Sequence, residues 1–321
     1  MKKSKTALIT GVSGYLGSHL AKTLKKAGWK VVGLDIRHTD NRYVDLFHPC
    51  DIRNAETLHT LFDRIDIDTV FHLAGRIEVG ESVKHPTVFF DNNTSGTNIL
   101  LDVMRYWGVK KIIYSSTAGV YKSQDKILSE TDLVEPMNNP YAGSKYSAEL
   151  AIKHSGVDHV IFRYFNLAGA DTENEMGECH NPETHLIPRI LQNLNNFTVY
   201  GKDYNTPDGT CIRDYVHVED VANAHLLAAN YLESGGKSET FNLGTGVGYS
   251  IKEIVALVEE TTGEKVTFKF GDKRPGDPAM LVADISFAKS VLQYRPEHDI
   301  ISIIRTAYNW ETKEDEQSER V

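Results

Sequence analysis

Short apolar runs recur along the first half of the chain, and most are nearly continuous rather than alternating. TALITG (6–11), KVVGLD (30–35), DTVFHLAG (68–75), KKIIYSST (110–117) and DHVIFRYFN (158–166) have this form. Strands covered on both faces, as in a parallel sheet, read this way. Helical stretches separate them, such as SHLAKTLKKAG (18–28) with Gly28 as its C-cap. The β-α-β-α alternation predicts an α/β protein built on a doubly wound parallel sheet.

Beyond about residue 170 the pattern loosens. A polar stretch (171–185) leads into LIPRILQNL and a strand-like FTVYG. A helix, VEDVANAHLLAANYLE (218–233), and a strand, ETFNLG (239–244), are expected to return to the main sheet. KVTFKF and RPGDPAMLVAD then belong to a smaller C-terminal lobe. The expected division is residues 1–170, with 215–250 returning to them, against a substrate-binding lobe of 171–214 and 251–311. Residues 312–321 are charged, lack an apolar face and are expected to fray. Function belongs in the cleft between the two parts.

Composition narrows the classes. The 321 residues suffice for a large core, and a net charge of -9 argues against a nucleic-acid backbone as partner. A small phosphate can still be held by a helix end or a few arginines. Three cysteines, Cys50, Cys179 and Cys211, do not read as a disulfide framework and fit a reducing interior. The apolar run after the N-terminal lysines is short and broken by glycine, so it reads as a strand and neither a signal peptide nor a membrane span. A soluble, cytoplasmic protein with no membrane partner is expected.

Strand one runs into GVSGYLG (11–17) and then a helix. Gly11, Gly14 and Gly17 let the backbone turn tightly and approach a diphosphate at the positive helix end, with Tyr15 and Leu16 in the same turn. Asp35 closes the second strand, 24 residues past Gly11, near the ~20-residue spacing of a ribose-binding acid. This is the context of a Rossmann-type dinucleotide site, and an acid there favours NAD over NADP. Arg37 is the one nearby hint the other way.

NNPYAGSK (138–145) places Tyr141 and Lys145 one helical turn apart, behind Asn139 as a cap and Pro140 in the first turn. A phenol titrates near ~10 and is a poor base at neutral pH. A neighbouring ammonium and a positively charged nicotinamide favour the phenolate. The pair is then a proton-transfer device beside a hydride acceptor, with Lys145 also placed to hold the nicotinamide ribose.

GVSGYLG, HLAG, YSST and YAGSK together resemble the extended short-chain dehydrogenase/reductase family. Within it the chain is similar to the UDP-glucose (UDP-galactose) 4-epimerases over nearly its whole length. AGRIEVGESV, DNNTSGT, RYFNLAGA, NPETHLIPRI, DGTCIRDYVHVEDVANAH, FNLGTGVGYS and RPGDPAMLVAD carry that likeness. The resemblance implies that Tyr141 takes the proton of the sugar 4-hydroxyl while C4 is oxidised by tightly held NAD. The 4-keto sugar turns over with UDP anchored, and re-reduction on the opposite face gives the epimer, interconverting UDP-galactose and UDP-glucose. It also implies a homodimer through two long helices. The apolar stripes of 94–108 and 144–154 permit one.

By the same resemblance Thr117 holds the sugar oxygen beside Tyr141, while Ser116 faces the other way by strand alternation. Asp51 and Ile52 hold the adenine end. Leu73, Ala74, Gly75 and Asn93 pass near the diphosphate, and Phe165 lies near the nicotinamide. Asn166, His185 and Leu186 lie near the sugar or its phosphate. Arg213 and Arg274 flank the diphosphate, with Asp277 in the same segment as Arg274. Tyr200 packs on uracil. Leu281 stands beside the sugar 2-position, where leucine is intermediate between a tyrosine that restricts and a small residue that admits N-acetyl sugars. Bacterial relatives place a cofactor lysine where this chain has Ile77, and Arg76 is the candidate substitute. Cys179, His180 and His185 match no zinc spacing well, and the implied reaction needs no metal, so none is expected.

Alternatives share the fold. A 4,6-dehydratase carries Asp-Glu directly after the threonine, and a related decarboxylase carries Glu near that position, where this chain has Ala118-Gly119. A cofactor-consuming reductase leaves Arg213 and Arg274 without a purpose. A non-catalytic dinucleotide sensor commonly loses Tyr or Lys, and this chain keeps both. A 4-epimerase of UDP-N-acetylhexosamine or another UDP-sugar stays open.

Overall fold

The structure, a computed structural model, describes residues 4–124, 126–136, 139–180, 182–274 and 277–318. The chain starts with β1 (Thr6–Thr10), α1 (Tyr15–Lys26), β2 (Lys30–Asp35), β3 (Leu46–Pro49), α2 (Ala55–Arg64) and β4 (Thr69–His72). Two short helices, α3 (Val79–Lys84) and α4 (Pro86–Phe89), and a π-helical turn (Phe90–Ser95) lead into α5 (Gly96–Trp107). Next come β5 (Lys111–Thr117), α6 (Pro140–His154), β6 (Asp158–Tyr164), β7 (Asn166–Ala168), α7 (Leu186–Leu191), β8 (Phe197–Tyr200) and β9 (Ile212–His217). The chain continues through α8 (Val218–Glu233), β10 (Glu239–Leu243), β11 (Gly248–Ser250), α9 (Ile251–Thr262), β12 (Phe268–Gly271), β13 (Met280–Leu281), α10 (Ser286–Val291) and α11 (Ile300–Ser318).

Seven strands form one sheet in the order β10-β6-β5-β4-β1-β2-β3, and every neighbouring pair is parallel. The expected doubly wound α/β sheet is present. Its strands alternate between two apolar layers. Leu8, Val32, Val70, Ile112 and Ile161 face α2, α5 and α6. Ala7, Ile9, Val31, Phe71, Ile113 and Phe162 face α1 and α8. Burial on both sides explains why these strands read as continuous apolar runs. The order reverses between β1 and β4, which opens a crevice at the carboxyl ends of those strands.

A third apolar cluster, with Ile187, Phe197, Ile254, Val258 and Ile304 at its centre, joins α7, α9 and α11 to β8 and β9. Small sheets edge it: β11-β9-β13 with β7 also on β9, and β12-β8. Segment 215–250 therefore divides its loyalties. α8 and β10 cover and extend the main sheet, while β9 and β11 belong to the small one. α11 runs on to Ser318, so the first part of the charged segment expected to fray is helical, and near its start Trp310 donates to the Glu178 carbonyl at 3.1 Å and Lys313 to the Asn174 carbonyl at 2.6 Å. Residues 319–321 lie outside the described residues. Among the described residues no helix is long and apolar enough to cross a membrane.

Candidate active site

A cleft of about 850 Å³ lies between the carboxyl ends of the main sheet and the small β9 sheet. The glycine turn forms one end. Gly11 sits at φ +76°, and a Cβ there would stand 2.7 Å from the Ala74 amide nitrogen. A Cβ on Gly17 would overlap the Gly11 carbonyl oxygen and lie 2.8 Å from Val12 Cα. Gly14 is freer, with only the Gly11 oxygen at 3.3 Å. The turn is thus a backbone cradle at the start of α1, whose first turn carries no acid that would oppose an anion. Asp35 is nine-tenths buried at the tip of β2. Its carboxylate accepts from Ser13 N at 3.1 Å and Arg37 N at 3.0 Å, which fixes it toward the cleft.

Asp51 lies further along the wall in an ion pair with Arg53, which also meets Asp91. The Arg53 hydrogen bond, acting against burial, holds the Asp51 carboxyl below its ordinary range, and Arg76 adds to this. Ile52 packs under α5, filling the space a side chain on Gly96 would need. Leu73, Ala74 and Gly75 follow the end of β4 rather than belonging to it, and they line the cleft as loop. Arg76 and Ile77 line it too.

At the centre are Thr117, Tyr141 and Lys145, all on the cleft wall. Asn139 caps α6 by accepting from Ala142 N at 2.8 Å, and Pro140 takes the first turn, as expected. Tyr141 and Lys145 therefore face one way along α6. Burial raises the Tyr141 phenol above its ordinary pKa of 10.0, a hydrogen bond with Thr117 opposes the rise, and Glu78 adds to it. The expected lowering by Lys145 is not among these causes. The Lys145 ammonium donates instead to the Ser115 carbonyl at 2.9 Å, and burial pulls its own pKa down to about 8. Ser116 turns its hydroxyl away to Glu149, as strand alternation requires. Phe165 and Asn166 complete this wall.

Arg213 projects from β9, buried, with Asp277 accepting from its Nη2 at 2.6 Å. Arg274, Asp277, Leu281 and His185 share that side of the cleft. Three expected site residues do not line it. Asn93 is buried behind the wall, where its amide accepts from Arg76 N at 2.8 Å and donates to Ser144 at 2.9 Å, so it braces the 74–76 loop. Leu186 packs into the third apolar cluster because it is the apolar first residue of α7. Tyr200 carries the Arg274 guanidinium over its ring at 4.3 Å, and so stands behind that arginine.

The sequence reading missed several lining groups. Tyr164 bonds Ser115 at 2.7 Å and His225 at 2.8 Å, a buried polar chain under the centre. His180 reaches the rim beside His185, and their rings lie 5.2 Å apart. Only its pairing with His185 across five residues hinted at this.

The glycine cradle and the fixed Asp35 suit a dinucleotide's diphosphate and ribose, so the residues present fit NAD. Residues 7–244 match the NAD dependent epimerase/dehydratase family. The UDP-glucose 4-epimerase of Lacticaseibacillus casei is 42% identical over 319 residues, covering 95% of this chain and 96% of that protein. A UDP-glucose 4-epimerase from Brucella ovis, solved in complex with NAD, superposes with TM-score 0.90 at 38% identity, covering 95% of this chain and 98% of that one. A UDP-Glc/GlcNAc 4-epimerase from Campylobacter jejuni superposes with TM-score 0.82 at 32% identity, covering 97% and 100%. A sheet, a cradle and a tyrosine–lysine helix arranged in this way have the same meaning as the likeness over full length: the chain belongs to the NAD dependent epimerase/dehydratase family.

Proposed function

We propose that the protein is an isomerase that interconverts UDP-galactose and UDP-glucose at C4, using NAD that it retains between turnovers. The observation that carries this reading is the wall itself. Thr117, Tyr141 and Lys145 stand together, and Ala118-Gly119 follow Thr117 with no carboxylate to eliminate water or carbon dioxide.

When bound, NAD supplies the electron-pair acceptor and donor for C4 and a positive ring that lowers the phenol's pKa. Tyr141 takes up and returns the 4-hydroxyl proton. Thr117 holds the same oxygen and the phenol in one hydrogen-bonded set. Lys145, pinned by the Ser115 carbonyl, holds the nicotinamide ribose. Gly11 to Gly17 take the diphosphate of the cofactor, Asp35 its ribose, and Asp51 and Ile52 its adenine. Arg213 and Arg274 clamp the UDP diphosphate from two segments, which leaves the hexose loosely held and free to turn over. The division of labour follows the two lobes, with cofactor on the main sheet and UDP on the small ones.

A cytoplasmic homodimer goes with this reading. Phe90 in the π-helical turn that leads into α5 and Leu150 on α6 are exposed apolar residues. A second substrate reading, UDP-N-acetylhexosamine, is favoured by Leu281, which lines the cleft with a side chain smaller than tyrosine.

The test is incubation of the purified protein with UDP-galactose and no added NAD, followed by NMR of the sugar nucleotides. UDP-glucose appearing toward an equilibrium mixture is expected. No product even with NAD supplied overturns the substrate assignment.

A further inference from the structure

The stretch between β7 and α7 brings Glu178, His180, Glu183 and His185 to the cleft rim, a Glu-x-His pair repeated after two residues. One ligand atom from each lies within 4.8 Å of all the others. His180 Nδ1 is 3.0 Å from Glu178 Oε1 and 3.6 Å from Glu183 Oε2, and His185 Nδ1 is 3.4 Å from Glu183 Oε1. Tetrahedral zinc with bonds of ~2.1 Å holds its donors roughly 3.4 Å apart. The spacing is that of a coordination shell as much as of ion pairs.

A second observation separates the two. Glu178 is only 4% exposed, and its Oε2 is buried with no hydrogen-bond partner among the described residues. Glu178 Oε1 meets both imidazoles, His180 Nδ1 and His185 Nδ1, while the second oxygen of the same carboxylate meets neither. A buried carboxylate oxygen left in this state costs free energy and calls for an occupant. The other carboxylate clusters lack that feature. Asp171, Glu173 and Glu175 converge on Lys22, and His217 and His298 are bonded to Thr306 and Asp220.

The surrounding groups orient the four side chains. Glu183 Oε1 accepts from the backbone nitrogens of Thr184 at 2.6 Å and His185 at 2.7 Å, which leaves Oε2 to point at His180. Trp310 grips the Glu178 carbonyl, and the His180 ring stands edge-on to Tyr15 at 6.4 Å.

We propose that Glu178, His180, Glu183 and His185 form a divalent-cation site of the zinc class on the rim of the cleft. Two imidazoles and two carboxylates suit zinc, and two negative charges neutralise the ion. Four protein ligands close the shell, so the ion is structural. It locks Glu178, His180, Glu183 and His185 against Tyr15 of the glycine turn and α11, and so sets the shape of the cleft at its substrate side.

The test reads metal rather than activity. The full chain, produced in zinc-supplemented medium without a histidine tag, is assayed for metal by mass spectrometry. It is then stripped with a chelator and titrated with zinc and with cobalt(II). About one zinc per chain is expected, with a tetrahedral cobalt spectrum and a rise in Tm on zinc return. His180→Ala and Glu178→Gln should lose the metal while folding, judged by circular dichroism. A parent chain that neither carries zinc nor takes it up at micromolar concentration overturns the site. So does equal zinc retention by a folded His180→Ala variant.

Discussion

The Lys145 ammonium donates to the Ser115 carbonyl, 2.9 Å away, from a position almost fully buried in the protein. Burial lowers its pKa to about 8. The unfolded chain therefore binds more protons between pH 8 and 10.5, and the parent's stability rises with pH across that window. Below it the cost is fully present, about 3 kcal/mol. In NAD-free protein Lys145→Met should raise Tm at pH 7, and the variant should not turn over. Its stability advantage should shrink as pH rises toward 10. Thermal melts of both proteins from pH 7 to 10 check this, and a constant gap contradicts it.

Tyr141→Phe keeps the ring and its packing but removes the hydroxyl proposed to carry the proton. A fall in kcat of roughly 10²–10⁴-fold is expected, with NAD content unchanged. Epimerisation kinetics alongside cofactor release on denaturation separate chemistry from binding.

The glycine turn should respond position by position. Gly17→Ala drives a Cβ into the Gly11 carbonyl and Val12 Cα, backbone that cannot step aside. A loss of about 1–3 kcal/mol is expected, with most of the bound NAD. Gly14→Ala meets only the Gly11 oxygen, at 3.3 Å, and should be mild. Equal effects in urea melts and cofactor content would refute the cradle.

Glu149 lies behind the centre, fully buried, and receives Arg163 Nε at 3.0 Å and Nη2 at 2.7 Å. Glu149→Ala strands the Arg163 cation inside the protein. A cost of about 3–5 kcal/mol is expected in chemical denaturation. Glu149→Gln should recover part of it.

Leu281→Tyr narrows the cleft that Leu281 lines, on the proposed reading beside the sugar 2-position. The ratio of kcat/KM for UDP-N-acetylglucosamine to that for UDP-glucose should fall at least ~10-fold. An unchanged ratio sinks the idea that this side chain sets breadth.

What could be read ahead of the structure was what local pattern controls. β1, β2, β5 and β6 announce themselves because both faces are buried. β3 does not, since Leu46–Pro49 is a half-exposed edge strand four residues long. β9 hides for the opposite reason. Its Arg213, Asp214 and His217 are polar yet buried, and their partners come from distant segments such as Thr245, Asp277 and Thr306. The same limit applies at the site. Asn139, Pro140, Tyr141 and Lys145 are one helix turn and could be read as such. That Arg274 would cover Tyr200, or that Lys145 would choose Ser115, depends on tertiary approach that spacing does not encode.

Trp310 deserves a practical use. The chain has three tryptophans. Trp29 sits in the core under β1, and Trp107 lies at the end of α5, far along the chain from the rim. Trp310 alone bonds the Glu178 carbonyl, and its indole fills the space beside Gly177. Its emission is thus a built-in optical gauge of the cleft rim. With Trp29 and Trp107 replaced by phenylalanine, the fluorescence of one residue on the last helix would follow ligand arrival in real time, with no label attached.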